Sequence, residues 1–141
     1  MPRLLPVILM LCMLFPANQT QATPPTDGQR FTKYLNKYPS EMLKAEPDAK
    51  RRLQALLGAN YKSFMERLQT EMLMENKQGI LVGWGCKAHE CGEEMAFFFI
   101  NLSDGKIHCA IRSESYSNKV KTFSEDPQHF PSAALKEVLN Q

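Results

Sequence analysis

A single basic residue, Arg3, precedes the apolar run Leu4-Leu5-Pro6-Val7-Ile8-Leu9-Met10-Leu11-Cys12-Met13-Leu14-Phe15, and the small-residue site Thr20-Gln21-Ala22 closes it. These are the basic n-region, apolar h-region and small −3/−1 pair of a secretory signal peptide. The run is too short for a transmembrane helix, which needs about 20 apolar residues. Residues 1–22 are therefore expected to be cleaved, so that the folding chain is residues 23–141. That length suits one domain. Export carries its cysteines to a compartment where disulfides persist. No later apolar run is long enough to span a bilayer, so no membrane contact is expected after cleavage.

Charge and glycine placement exclude further classes. Lys and Arg number 17 against 15 Asp and Glu, a net charge of +2 that loses one unit with Arg3. Such a balance gives no electrostatic footprint for nucleic acid. The close glycine pair Gly83-Trp84-Gly85 lacks the rest of a P-loop or dinucleotide pattern. No cofactor is expected.

Thr23-Pro24-Pro25-Thr26-Asp27-Gly28 reads as a flexible entry. Phe31, Tyr34, Leu35 and Tyr38 recur at helical spacing and predict a short helix before Pro39. Residues 23–45 are thus a flexible N-terminal segment with a short helix, and residues 46–141 the domain proper. Pro47 suits the first turn of a helix and Gly58 the position just past its end, with Leu53, Leu56 and Leu57 as the apolar face. Asn60 reads as the N-cap of a second helix that buries Tyr61, Phe64, Met65 and Leu68. Residues 69–76 admit either a helix continuing through Met72 or a strand over 70–75. A turn at Asn76-Lys77-Gln78-Gly79 before the strand 80–84 favours the hairpin. A clearer hairpin follows, strands 94–102 and 106–112 around Ser103-Asp104-Gly105. In its return strand Ile107, Cys109 and Ile111 share one face, His108, Ala110 and Arg112 the other. Residues 118–123 suit a fifth strand, and Pro131 opens a closing helix that buries Ala134, Leu135, Val138 and Leu139. The expected fold is α+β: an antiparallel β-sheet of about five strands packed against helices, with a disulfide-closed protruding loop.

That loop is Gly85-Cys86-Lys87-Ala88-His89-Glu90-Cys91-Gly92, between two expected strands. Cys86 and Cys91 are the obvious pair, and Cys109 is left as a buried small hydrophobe, which favours a monomer. So short a ring removes little chain entropy and serves shape more than global stability. Three readings stay open: a surface hairpin with a structural disulfide and a solvated His89; a metal site of Cys86, His89 and Cys91 with His108 or Cys109; and a stiff finger that enters a partner's cleft. The spacing C-x2-H-x-C is not a standard zinc pattern, and an oxidising compartment favours the disulfide. No catalytic residue is expected. The paired thiols are consumed, and His108 and Cys109 point to opposite faces of a strand. Ser103-Asp104-Gly105 is accounted for as a turn.

Cys86-Lys87-Ala88-His89-Glu90-Cys91-Gly92, leading into a strand and a hairpin, resembles the C-K-P-H-D-C loop of the inhibitor of vertebrate lysozyme (Ivy) family. The resemblance runs from Leu56-Leu57-Gly58-Ala59-Asn60-Tyr61 through Ser103-Asp104-Gly105 to Pro131-Ser132-Ala133-Ala134-Leu135. It implies a periplasmic, non-enzymatic protein whose partner is a c-type lysozyme or another peptidoglycan-cleaving glycosidase, with Lys87, Ala88, His89 and Glu90 forming the inhibitory loop. Retaining glycosidases set two carboxyl groups about 5–5.5 Å apart. An imidazole in that gap has nitrogens on opposite edges of one ring and can hydrogen-bond both. Lys87 would add attraction to an acidic cleft, and Glu90 would answer cationic residues on the rim. Ala88 stands where the family loop has proline, which loosens the tip, and Glu90 replaces aspartate with one more methylene. Both departures bear on affinity and target, and an endogenous lytic transglycosylase is a further candidate target. The alternative from another class is a periplasmic immunity or scaffold protein that binds through the same finger or an exposed sheet edge.

Overall fold

The computed structural model describes residues 27–141, and the expected leader and residues 23–26 of the entry segment lie outside the described residues. A 3-10 turn over Gln29–Tyr34 leads into α1 (Pro39–Ala45), α2 (Pro47–Leu57) and α3 (Tyr61–Glu66). Six strands follow: β1 (Thr70–Glu71), β2 (Glu75–Lys77), β3 (Ile80–Cys86), β4 (Met95–Asn101), β5 (Ile107–Arg112) and β6 (Val120–Ser124). The closing helix is α4 (Ser132–Leu139).

Local chemistry accounts for most of these bounds. Pro47 opens α2, and Gly58 ends it with φ +52°, a conformation that costs glycine little. Gln78 and Gly79, with φ +52° and +84°, form the two-residue turn between β2 and β3. Two consecutive positive values match a type I′ turn, whose twist suits a hairpin. Asn60 sits before α3 as expected, but its side chain does not cap: the amide donates back to the Leu57 carbonyl at 3.2 Å. α3 ends at Glu66, so buried Leu68 lies just past the helix, while Tyr61 and Met65 are half-buried. α1 had no counterpart among the sequence expectations. Its start is held by the Glu41 carboxylate, which accepts the Tyr38 N–H at 2.9 Å, and it buries Met42 and Leu43.

All strand pairings are antiparallel, in the order β1-β3-β4-β5-β6. β1 and β2 share one edge position: Thr70 pairs with Cys86 at the far end of β3, and Lys77 with Ile80 at its start. Residues 69–76 are thus not a continuation of α3 but carry two short pieces of edge strand, 70–71 and the start of β2 at 75–76. The register slips by one residue between the two pieces: the Met72 N–H still donates to the Trp84 carbonyl at 3.0 Å, and residues 73–74 leave the ladder. There the Asn36 N–H donates to the Met74 carbonyl at 3.0 Å, and the Met74 N–H to the Lys37 carbonyl at 2.8 Å. Met74 is buried by this excursion, whereas Met72 and Leu73 stay exposed.

The sheet is covered on both faces. Leu81, Phe98, Ile100, Ile107, Cys109 and Ile111 face α1–α3 in a core that also takes in Phe31, Tyr34, Met42 and Leu43 from ahead of residue 46. Val82, Phe97, Phe99 and Ala110 face Ala134, Leu135 and Val138 of α4. The run Phe97-Phe98-Phe99 therefore feeds both cores through strand alternation. Gly83 is obligatory here, because a Cβ would sit 2.3 Å from the Phe98 ring that crosses it. Cys109 is fully buried as expected, and burial pushes its thiol well above the ordinary value.

His108 is also buried, its Nδ1 at 2.7 Å from the Ser124 hydroxyl and its ring edge-on to Phe130. Burial holds its imidazole below the ordinary value, against the attraction of Asp104, Asp126 and Glu125. The folded state thus binds the proton less readily than the unfolded chain. The stability tied to this group is complete above the unfolded value of about 6.5 and falls as pH drops below it. The urea midpoint is expected to fall between pH 7 and pH 5, with a flatter slope in His108→Gln. The C2 proton resonance of His108 should stay at its neutral position after free histidine has titrated.

Candidate functional site

β3 runs out of the sheet at Cys86 and β4 re-enters at Met95, and the chain between forms a closed loop beyond the sheet end. Cys86 and Cys91 are joined by a disulfide, with Cα atoms 5.0 Å apart. Backbone bonds shape the rest. The Lys87 N–H donates to the Glu94 carbonyl at 2.9 Å across the neck, and the Glu93 and Glu94 N–H groups return to the Glu90 carbonyl at 3.2 and 3.0 Å.

The tip is a tight turn, closed by the Glu90 N–H on the Lys87 carbonyl at 3.0 Å. His89, the third of its four residues, has φ +67°, and Ala88 before it is not in the positive region. That combination is a type II turn, whose third position favours glycine and whose second favours proline. A histidine held there stores local strain, and such strain concentrates at ligand clamps and active sites. The His89 side chain is exposed and makes no hydrogen bond among the described residues. Both ring nitrogens remain available to a partner.

Lys87 and Glu90 meet each other, Nζ to Oε1 at 3.1 Å, rather than standing as independent charges. Both are half-exposed, so the pair contributes little stability. It partly neutralises Lys87 and so cuts its long-range pull. The structure brings Lys87, Ala88, His89 and Glu90 together on one loop, while His108 and Cys109 lie in the sheet. The thiols a metal site would need are bonded to each other. Among the described residues no group of three or more His, Cys, Asp or Glu comes together as a metal site would require.

Three supporting groups carried no sequence signal. Arg67, just past α3, forms an ion pair with Glu94 at the foot of the loop, and both side chains are almost nine-tenths buried. Glu94 also accepts from the Ser113 hydroxyl at 2.8 Å and the Glu114 N–H at 3.2 Å. Burial pushes its carboxyl up, but Ser113 and Arg67 outweigh burial and hold it below the ordinary range. Arg67 in turn donates to the Ser63 carbonyl at 2.8 Å, which ties the loop foot to α3. Partners this far apart in sequence have no spacing to betray them. Gln69 is the third group: its Oε1 accepts the Ala88 N–H at 3.3 Å.

The family model described as "Inhibitor of vertebrate lysozyme (Ivy)" matches residues 48–141, which include α2 after Pro47, α3, the whole sheet, the loop and α4. No curated protein and no solved structure matches the chain.

Proposed function

This chain belongs to the inhibitor of vertebrate lysozyme (Ivy) family, and from that membership we propose that it is a periplasmic, non-enzymatic inhibitor of c-type lysozyme that inserts the 86–91 loop into the active-site cleft. The observation that carries this reading is His89, held with positive φ at the tip of a disulfide-closed loop and without a hydrogen-bond partner among the described residues. A ring presented in this way can bond one catalytic carboxyl through each nitrogen while the disulfide limits the freedom lost on docking. Lys87 and Glu90 would exchange their mutual contact for groups on the cleft walls, chiefly affecting on-rate and its salt dependence.

The test is lysis of peptidoglycan by a c-type lysozyme, titrated with the purified protein. Stoichiometric inhibition is expected with the disulfide intact and should weaken at least tenfold after reduction or in Cys86→Ser/Cys91→Ser. An oxidised protein with its disulfide confirmed by mass and no inhibition would end this reading for that enzyme.

One observation favours a second reading, a protein-interaction module acting through the sheet edge. Tyr38, Met72 and Leu73 are the large apolar side chains left exposed among the described residues, and they lie on two segments that hydrogen-bond to each other. A partner bound there would be indifferent to His89.

A further inference from the structure

Ala88 leaves the loop tip without the ring constraint that proline gives the second position of a type II turn. Its free N–H is used instead. Gln69 lies outside the loop, between α3 and β1, and its amide oxygen receives that N–H at 3.3 Å. The segment carrying Gln69 is pressed onto the neck. Thr70 pairs with Cys86 in the ladder, and Gly85 admits the close approach. A Cβ at Gly85 would come within 2.9 Å of the Thr70 carbonyl and 3.1 Å of Leu68 Cα. Gln69 is therefore positioned by the edge strand packed on the neck, from outside the ring that the disulfide closes.

We propose that Gln69 is a positioning residue for the finger: its amide oxygen holds the Lys87–Ala88 peptide that leads into the tip, in the orientation that presents His89. This deepens the lysozyme-inhibitor reading, and its use in binding rests on that reading. The disulfide fixes the width of the neck, and the backbone bonds of Lys87, Glu90 and Glu94 close the turn, but none of these reaches the tip from outside the loop. The Gln69 bond supplies the missing constraint in a chain where residue 88 can donate. Proline at 88 would make the strap redundant, because it has no N–H and presets its own φ.

The experiment compares wild type, Gln69→Ala, Ala88→Pro and the double variant, with two readouts. Backbone amide exchange by NMR reports the tip without any partner, and dissociation from c-type lysozyme by surface plasmon resonance reports presentation of His89. In Gln69→Ala the Ala88 and Glu90 amides should exchange three- to tenfold faster, the lysozyme off-rate should rise by a similar factor, and Tm should stay unchanged. In the Ala88→Pro background the same Gln69→Ala change should alter the off-rate less than twofold. Unchanged exchange and off-rate in Gln69→Ala would overturn the proposal, as would an equal loss in both backgrounds. If wild type does not bind lysozyme at all, the inhibitor reading fails, while the exchange rates still decide whether Gln69 holds the tip.

Discussion

Replacing His89 with alanine is expected to weaken binding to c-type lysozyme by about 2–4 kcal/mol, roughly 30- to 1,000-fold in Kd, the range of a central interface anchor. The loss should appear almost wholly in the off-rate, since removing a ring that docks inside a cleft leaves the approach of the two proteins unchanged. His89→Gly sharpens the result. Glycine accepts the φ of +67° without strain, so this variant should be at least as stable as wild type while binding as poorly as His89→Ala. Stability and affinity would then move in opposite directions. Undiminished binding by both variants would show that the loop tip is not the anchor and would turn attention to the edge carrying Tyr38, Met72 and Leu73.

The largest effect on the fold is expected at Glu94. Glu94→Ala leaves the Arg67 guanidinium largely buried without its partner and removes the acceptor for the Ser113 hydroxyl and the Glu114 N–H. Breaking a buried pair on one side costs about 3–5 kcal/mol, which for a domain of this size lowers Tm by about 10–20 °C. Removing both charges is expected to cost far less than removing one, so Arg67→Met/Glu94→Leu should recover much of the Tm. The sign with pH follows from the depressed carboxyl. Its contribution is complete above the ordinary glutamate range and is lost as pH falls through the folded value, so the wild-type advantage over Glu94→Ala should shrink in acid. Thermal melts of the three proteins at pH 7 and pH 3.5 measure all of this. Equal Tm values for wild type and Glu94→Ala at pH 7 would show that water screens the pair.

The parts of this fold that could be read in advance are those whose cause is local. Pro47 and Gly58 bracket α2 because each acts through its own backbone. Asp104-Gly105 marks a turn for the same reason, and Ile107, Cys109 and Ile111 declare a strand face by alternation alone. The six-residue ring of Cys86 to Cys91 is likewise short enough to be read from spacing. What stayed hidden depends on distant partners. α1 has only Met42 and Leu43 on its buried face beyond Pro39, too few to show a period. The break between β1 and β2 exists because residues 36–37 hydrogen-bond to Met74, which no window around Met74 contains. The same holds for the loop. His89 could be singled out from its position, whereas Arg67, Gln69 and Ser113 became visible only once the chain had brought them to the loop's foot and tip.

The sheet's two borders are also unequal, and that bears on how many molecules the protein can hold at once. The border beside the finger is closed to strand addition where residues 36–37 occupy it. The opposite border, β6, pairs with no strand on its outer side among the described residues and carries exposed Lys121 and Thr122 beside Lys119. Lysines along such a rim discourage indiscriminate pairing without closing it to a partner of complementary charge. With three strands between the two borders, anything that extends the sheet at β6 would be built outward from the far side. A strand of complementary charge joined there would leave the finger free, so that one molecule could hold it and a target enzyme at the same time.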